Sequence, residues 1–558
     1  MPCSAVIRRV MPHVLGVMAA ACTVATDAAL TAAFAQTASA GVSTTPRFQQ
    51  GNDASVGPSV QRFEPAQVSG TGRMGFDSTN SRKKQTAKSA AEAGITPRKT
   101  AGGQEAGRAA ANGSTQPVEP LSSPYQRPIP PLSTTTRPAD GTQAMAAQLP
   151  VVPVGALPAR VTKRKKLVAE GDPYDPLGIR AGAFDLYPAI ELYGGYDSNP
   201  GARPSGGSGS SLLTVAPELR VQSRWSRHEL KADLRGTYTA YAKDTTPSVS
   251  RPQGNGSIDG RIDVTRDTRI DLGGRLQVGT DYPNSPNLQA GLSRLPIYTT
   301  VGGIAGLAHR FNRLEVGVKG TLDRTVWQSS SLVDGTSASN DDRNFNQYGA
   351  TLRAGYELRP GITPYIEAGG DSRVHDLTAD AYGYRRNSKA MTGRVGSTFE
   401  LSRQLTGDIS VGYTKRDYDD ARLKAASGVL FDASLLWTAT PLTTAKLTAK
   451  TNIGESTVPG VSGIFYRDAG LQVDHAMRRW LIATVKFGFG FDTYQGDGAA
   501  GTIADRQDTR YALGFGLTYK FSRELWLKGE VRREWLRSNA FGVNYDANIF
   551  LLGLRLQK

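Results

Sequence analysis

The chain has 558 residues, a formal net charge of +16 and 39% hydrophobic residues. Beyond the N-terminus it contains no run of about 18 apolar residues, so no helical transmembrane span is predicted. Its only cysteines are Cys3 and Cys22. If the N-terminus is removed, the mature chain has neither a disulfide framework nor a cysteine-bound metal. The basic charge suits attraction to acidic surfaces, but no nucleic-acid-binding fold signature accompanies it.

Residues 1–35 have the pattern of a secretory signal peptide. Arg8 and Arg9 precede an apolar stretch, and Ala33-Phe34-Ala35 forms a small-x-small cleavage site. Residues 38–40 form a second candidate site. Cys22 follows three alanines, but it lacks the leucine typical of a lipoprotein acceptor. Export across the inner membrane is therefore predicted.

Residues 36–174 are rich in Ser, Thr, Gly, Ala, Pro and Gln and show no sustained periodicity. Such a composition buries too little apolar surface to offset the entropy of ordering, so a disordered linker is predicted. The basic cluster at residues 163–166 is interpreted as a solvated patch, or as a contact for anionic head groups or an acidic partner.

An outer-membrane barrel is predicted for residues 175–558, because from Phe184 to the C-terminus the sequence alternates with a period of two, which is typical of β-strands. The pattern is clearest between Tyr511 and Trp535. One parity holds apolar and aromatic residues, whereas the other holds charges and glycines. In an outer-membrane barrel the apolar parity faces lipid and the polar parity lines the interior. We therefore expect Tyr511 and Trp535 near the outer interface and Tyr519 near the periplasmic turn, and Trp526 is the residue that fits this division least well.

The spacing of turns predicts the number of strands. Eight short polar turns lie near Ser226, Asp267, Asn312, Gly361, Arg403, Pro441, Arg479 and Arg523. Longer loops lie between them, and residues 281–295 and 329–342 are long enough to fold inward as a constriction. Eight turns and nine loops require about 18 strands, with 16 as the alternative. This asymmetry is typical of a transmembrane β-barrel with both termini periplasmic, whereas a propeller would place four short strands in each repeat.

The polar parity supplies the candidate functional residues. Charged side chains facing lipid at mid-membrane would cost about 2–4 kcal/mol for each Arg or Lys, so this parity should face water. The pore-lining candidates are Arg235, Arg275, Lys319, Lys486, Lys520, Lys528, Arg532, Asp271, Glu315 and Asp323. Mixed charges of this kind create a transverse field that favours small polar solutes. Alternatively, they pair with one another and seal the lumen.

Several short motifs resemble the beta-barrel porin family of alphaproteobacterial outer membranes. They occupy residues 175–180, 182–184, 195–199, 216–219, 412–418 and 553–556, which read DPLGIR, GAF, GYDSN, APEL, GYTKRDY and GLRL. The resemblance covers residues 175–558 and implies an outer-membrane barrel with porin activity and no catalytic residues. It also implies surface-polysaccharide export as a second context. The last strand keeps the lipid-facing parity but lacks the terminal aromatic residue common in such barrels.

No catalytic or metal-binding motif stands out in the sequence. His375 with Ser372 is the closest local approach to a nucleophile and base, and His375 is interpreted as a surface histidine. The acidic pairs Asp341-Asp342 and Asp419-Asp420 are interpreted as solvated loop charges. We therefore expect a protein that is not an enzyme and carries no cofactor.

The sequence as a whole predicts a porin-like channel for passive diffusion of small hydrophilic solutes. The alternative is a non-conducting barrel that supports envelope assembly or polysaccharide export through its linker. The expected partners are outer-membrane lipid and lipopolysaccharide, the barrel-assembly machinery, small solutes and a second copy of the chain, with no nucleic acid.

Overall fold

A computed structural model describes residues 173–496 and 506–558, except residues 206, 244, 284 and 403. The predicted signal peptide and nearly all of the predicted linker lie outside these residues. Within the described part no helix has the length and apolarity of a helical membrane span. The chain is instead built almost entirely of β-strands, as its period-two alternation predicts.

Eighteen long antiparallel strands form the barrel. They are β1 Phe184–Asp197, β2 Ser210–Ser223, β3 Glu229–Tyr241, β4 Arg251–Asp263, β5 Thr268–Thr280, β6 Ile297–Phe311, β7 Leu314–Trp327, β8 Phe345–Tyr356, β9 Ile362–His375, β10 Ser388–Glu400, β11 Leu405–Tyr418, β12 Ala426–Thr440, β13 Thr443–Gly454, β14 Val461–Arg478, β15 Leu481–Gly496, β16 Gln507–Lys520, β17 Leu525–Ser538 and β18 Tyr545–Gln557. The count of 18 is confirmed. A short strand, Ile179–Ala181, forms a hairpin with the start of β1.

The sheet closes on itself. Each strand pairs with the next, and β18 pairs with β1 in a register that runs from Ala189 opposite Gln557 to Asp197 opposite Ile549. Closure leaves no unpaired strand edge, which is the condition for a β-structure to exist in a hydrocarbon environment.

The eight predicted short turns all join consecutive strands at one end of the barrel, and both ends of the barrel chain lie there too. At the β6–β7 turn Asn312 has a φ of 57°, a left-handed conformation that Asn tolerates better than most residues. The nine longer connections lie at the opposite end. Residues 328–344 include two short paired strands, Ser330–Ser331 and Ser337–Ala338, and the 3₁₀ helix Asp341–Arg343.

The outer face is apolar, as the alternation predicts. On β18 the exposed apolar residues are Phe550, Leu552, Leu554 and Leu556, and the residues between them are buried inside the barrel. Aromatic residues flank this band on β16. Tyr511 stacks on Trp535 with ring centroids 5.4 Å apart, and Tyr519 packs against Trp480 at 4.9 Å.

The two aromatic groups mark the height of the apolar band. Tyr511 and Tyr519 are separated by eight residues, or roughly 27 Å along the strand, and a tilt of 35–45° reduces this to about 20 Å vertically. That height is close to the roughly 25 Å apolar band of outer-membrane barrels. Trp526 points inward instead, where its indole N–H donates to the Ser522 carbonyl at 3.1 Å.

Small apolar clusters occupy the inner face at the long-loop end. One contains Ala512, Leu536, Tyr545 and Ala547 together with Ala202 and Val543 from the loops. Another contains Val458, Val461, Ile464, Tyr466 and Tyr494. The long-loop end of the interior therefore holds apolar clusters beside buried ion pairs such as Arg506 with Asp508.

Candidate functional site in the barrel lumen

The inner face of β3, β4 and β5 near the short turns carries charged side chains that remain in contact with water. We call this group the hydrated wall. Its side chains are between 14% and 43% exposed, and they are Glu229, Lys231, Asp233, Arg235, Arg261, Asp263, Arg269 and Asp271. Two of the predicted pore-lining residues, Arg235 and Asp271, belong to it.

Most ion pairs within the hydrated wall run along single strands, and one at 3.6 Å joins β3 to β4. Arg235 pairs with Asp233 at 2.8 Å, and Arg269 pairs with Asp271 at 3.1 Å. Residues i and i+2 lie on the same face of a strand about 7 Å apart, so such a pair stands on the wall without crossing its neighbours. Its charged ends therefore stay accessible to water in the lumen.

A second group of inner charges, which we call the paired belt, lies from mid-height towards the long loops. Its members are between 1% and 9% exposed, and they are Arg275, Asp323, Asp371, Arg394, Arg416, Asp432, Asp468 and Arg510. Each ion pair in the belt joins two strands that are separated by a third. The predicted residues Arg275 and Asp323 form one of these pairs, with Arg275 Nε donating to Asp323 Oδ1 at 2.7 Å.

Small residues on the middle strand allow these pairs to form. Gly302 of β6 lies opposite both Arg275 and Asp323, and a Cβ there would collide with Asp323 Oδ1 and lie 2.6 Å from Arg275 Nε. Gly490 of β15 has the same place between Asp468 and Arg510, which are 2.9 Å apart. The two charged side chains thus lie flat over a bare backbone, which buries them.

The other predicted pore-lining residues also lie on the inner face. Lys486 pairs with Glu530 at 3.0 Å, and Arg532 with Glu534 at 2.6 Å. Lys528 pairs with Glu191, and Lys520 lies 4.8 Å from the centre of the Trp526 ring. Glu315 pairs with Arg310 at 2.6 Å, and Lys319 is attracted electrostatically by Glu367 and Asp323. The ten candidates are spread around the wall, and Arg275 and Asp323 form a direct ion pair with each other.

Two inner-face lysines were missed by the sequence reasoning. Lys446 and Lys450 lie on β13, opposite Gln472 and Asp468 of β14. Lys446 is exposed and Lys450 is half-buried, although both project into the barrel. The alternation Thr444, Lys446, Thr448, Lys450 against Ala445, Leu447 and Ala449 is the signal that could have found them.

The long loops meet over one end of the lumen. In the loop at residues 281–296, Asn287 accepts hydrogen bonds from the backbone N–H of Thr457 at 3.0 Å and from its hydroxyl at 3.2 Å. Thr457 belongs to the β13–β14 loop on another side of the barrel. Arg343 of the β7–β8 loop pairs with Asp281 at 2.8 Å. Both loops that the sequence offered as constriction candidates therefore contact other loops at this end.

Two loop carboxylates have lowered pKa values. Burial acts to raise the pKa of Glu455, but the positive charges of Arg373, His375 and Arg416 outweigh it and lower the pKa. Hydrogen bonds from the Arg422 side chain and the Arg385 backbone N–H lower the pKa of Asp420, so this loop carboxylate has defined partners.

Ser372 and His375, the closest approach to a nucleophile and base in the sequence, do not form such a pair. Ser372 and His375 lie on opposite faces of β9, because three residues separate them on a strand. The interpretation of His375 as a surface histidine is wrong: its strand parity turns it inward, where it is buried against Phe345 with ring centroids 5.4 Å apart. Residues 173–496 and 506–558 contain no group of His, Cys, Asp or Glu that could hold a metal ion.

A closed 18-stranded barrel with an apolar outer band and a charged interior defines the class of outer-membrane β-barrel proteins. Comparison with family models gives the family. Residues 172–558 match the model described as Putative beta-barrel porin 2, and the chain belongs to that family. The resemblance seen in the sequence is thereby confirmed, and the family places the chain in the outer membrane.

Solved structures of bacterial outer-membrane proteins are similar to the barrel at low sequence identity. OpdK from Pseudomonas aeruginosa is 13% identical, covers 67% of this chain and 99% of its own, and has a TM-score of 0.34. OccK2 (OpdF) from Pseudomonas aeruginosa, solved in complex with glucuronate, is 12% identical, with 67% and 98% covered and a TM-score of 0.35. OccAB4 from Acinetobacter baumannii is 11% identical, with 67% and 98% covered and a TM-score of 0.36. Among curated proteins, no sequence matches the chain.

Proposed function

We propose that the protein is a porin-like channel through which small hydrophilic solutes diffuse passively across the outer membrane. The observation that carries this proposal is the water contact of inner-face charges at mid-barrel and below. The hydrated wall is 14% to 43% exposed, and Lys446 is exposed on the inner face of β13. An interior filled solid by side chains would leave these groups dry.

The chemistry of this interior suits small polar solutes. The hydrated wall carries both signs of charge close together, as in Asp233 beside Arg235, so the field across the lumen is strong while the net charge of the wall is small. Such a field orients water and polar solutes and disfavours apolar ones. Passive diffusion needs no further chemistry, and we propose that the protein is not an enzyme.

Planar-bilayer recording of the purified full-length protein tests the proposal. We expect stepwise conductance increases on insertion, and swelling of proteoliposomes in isotonic solutions of small sugars. The matched control is the same preparation unfolded by heat before addition, which should give neither signal. A folded, membrane-inserted protein without any conductance step would overturn the proposal.

We further propose that both termini and the short turns face the periplasm. Short periplasmic turns and longer extracellular loops are the usual asymmetry of outer-membrane barrels, and the short turns lie at the terminal end of this one. An epitope inserted at residue 334 should be labelled on intact cells, and one inserted at Ser226 should be labelled only after permeabilisation. The reverse pattern would contradict this orientation.

A second candidate is a non-conducting barrel that supports envelope assembly or surface-polysaccharide export. The observation that favours it is the contact between loops over the lumen, such as Asn287 with Thr457. Deletion of residues 36–172 separates the two functions: a channel should keep its conductance, whereas a scaffold should lose its partner and the export phenotype that depends on it.

The expected partners follow from the two faces of the barrel. We propose that the apolar outer face contacts lipid and lipopolysaccharide, that the barrel-assembly machinery inserts the chain, and that the solutes pass within. Self-association is a further proposal. Cross-linking in outer-membrane vesicles should give a dimer or trimer ladder, and an exclusively monomeric band would argue against it.

A further inference from the structure

Lys446 and Lys450 are inner-face cations that form no ion pair with any described residue, unlike Lys486 and Lys528. They lie four residues apart on the inner face of β13, about 13 Å along the strand. Within residues 173–496 and 506–558, neither ammonium group makes a hydrogen bond or an ion pair, whereas Lys486 and Lys528 are paired with Glu530 and Glu191. Two cations of β13 thus face the lumen without a partner.

The carboxylates nearest to these lysines are occupied by other donors. Asp432 and Asp468, which attract Lys450 electrostatically, form ion pairs with Arg394 and Arg510. Beside Lys446, Asp474 accepts from Thr484 at 2.7 Å and from Gln472 at 3.0 Å.

Neither lysine therefore forms an ion pair with these carboxylates, although Asp474 attracts Lys446 at longer range. The ion pairs of Asp432 and Asp468 hold these two carboxylates against the wall, whereas the donors to Asp474 are uncharged. The charge of Lys446 and Lys450 is therefore directed into the lumen.

Cations on the far side of the barrel face the same space. Lys446 experiences the positive charge of Arg235 on β3, and Lys450 experiences that of Arg275 on β5. β3 and β5 are on the opposite side of the closed sheet from β13. The two lysines thus lie within electrostatic range of the far wall, where Arg235 and Arg275 are paired with Asp233 and Asp323, so the lysines supply the positive charge that is in no ion pair among the described residues.

We propose that Lys446 and Lys450, facing Arg235 and Arg275, form an anion-selective passage for small carboxylate- or phosphate-bearing solutes. The inference rests on the proposed channel function and adds the sign of its selectivity. The lysines are the selectivity-determining residues, because they are the cations of this passage that form no ion pair within the described part of the chain.

Lysine suits a transit site of this kind. Its ammonium is a compact, hydrated point charge on a flexible stem, whereas an arginine holds a carboxylate in a bidentate geometry. A passing anion gains attraction without being locked in place, which conduction requires. The two lysines, spaced along the strand, provide successive positions for the anion.

Reversal potentials of single channels in a KCl gradient test the proposal. The wild-type protein is expected to prefer chloride over potassium. Each lysine near a chloride ion in water contributes a factor of about five to that preference. K446Q/K450Q should therefore bring the permeability ratio close to one, and K446E/K450E should invert it, while K446R/K450R should keep the wild-type sign. Phosphate and acetate then replace chloride as probes, and both should carry measurable current in the wild type.

The matched control is K389Q/K415Q. Lys389 and Lys415 are exposed on the outer face of the adjacent β10 and β11, so this variant removes the same charge without touching the lumen. In a bilayer of uncharged lipid its reversal potential should equal that of the wild type. Heat-modifiable electrophoretic mobility shows whether each variant is folded.

The outcomes separate the two proposals. A folded wild type without conductance overturns the channel and the inference with it. A conducting wild type that prefers potassium overturns the inference but not the proposed channel function. The same conclusion follows if folded K446Q/K450Q keeps the full chloride preference of the wild type. If the glutamine and glutamate variants do not fold, the salt dependence of the wild-type channel provides the test. Its chloride preference should weaken between about 0.01 M and 1 M salt, because the screening length falls from about 30 Å to 3 Å. A preference independent of salt would contradict a role for these exposed charges.

Discussion

The hydrated wall and the paired belt are built from the same residue types but differ in what surrounds them. Hydrated-wall side chains are 14% to 43% exposed, whereas belt side chains are 1% to 9% exposed. In the wall, an arginine and an aspartate two residues apart pair along one strand. In the belt, partners such as Arg275 and Asp323 pair across an intervening strand.

The difference shows that register, rather than composition, decides whether an inner charge stays available to a solute. Partners across two strand spacings, about 9.6 Å, must extend flat over the middle strand, which needs a small residue such as Gly302 there. Their charges then neutralise each other in a buried ion pair and are not available to a solute. Pairs along one strand, such as Asp233 with Arg235, are screened by water and hold their partners weakly.

The largest expected effect comes from breaking a belt pair. Asp323→Ala leaves Arg275 buried without its counter-ion, which should destabilise the barrel by about 3–5 kcal/mol in denaturant unfolding from liposomes. The matched change in the hydrated wall, Asp233→Ala, should cost about 0–1 kcal/mol. Replacing both belt partners, as in R275M/D323L, should restore most of the loss. Equal effects at Asp323 and Asp233 would contradict the distinction between the two regions.

The lipid-facing side provides the next test. Phe515 lies exposed near the middle of β16, so Phe515→Arg should destabilise the bilayer-inserted barrel by about 2–4 kcal/mol. Thr509→Arg, on the same face but near the end of the strand, should cost about 0–1 kcal/mol. Unfolding of both variants from the same liposomes measures the difference, and a cost that did not depend on depth would place β16 outside the apolar band.

Acid should weaken the loop contact at Glu455. Its pKa is lowered in the folded protein, so the interaction with Arg373 contributes fully above the unfolded pKa of about 4.3 and is lost as pH falls through the folded value. Glu455→Gln should remove about 2 kcal/mol at pH 7. The stability difference between wild type and variant should stay constant from pH 7 to about 5 and shrink below pH 4. A difference that grew on acidification would contradict the direction of the pKa shift.

A smaller effect is expected from filling the space under a belt pair. Gly302→Ala places a methyl group against Asp323 and Arg275, which should cost about 1–3 kcal/mol in the same unfolding measurement. The adjacent Gly303 faces outward, and a Cβ there meets no atom within 4 Å. Gly303→Ala should therefore change stability little. A similar loss at both positions would show that general strand effects, not the ion pair, are responsible.

The sequence could predict the fold because its signals are local. Period-two alternation assigns faces one residue at a time, and turn residues count the hairpins, so the 18 strands and the inward direction of Lys520 and Arg532 followed directly. The pairs within the hydrated wall were also visible in principle, because Asp233 and Arg235 are neighbours on one face.

The belt could not be predicted, because its pairs depend on long-range register. Arg275 and Asp323 meet only if the turns and loops between them have the lengths that place both opposite Gly302. The burial of His375 and the lack of partners at Lys450 have the same origin, since each depends on what neighbouring strands and loops present at that height.

Thiol modification of single-cysteine variants during bilayer recording tests the central claim, a water-filled lumen along β13, most directly. The chain would carry Cys3→Ser and Cys22→Ser with either Lys446→Cys or Leu447→Cys, adjacent residues on opposite faces. A charged, water-soluble thiol reagent should change the current stepwise in the Lys446→Cys channel and leave the Leu447→Cys channel unchanged. Modification of Leu447→Cys with no effect at Lys446→Cys, or no effect at either position in a conducting channel, would contradict the account.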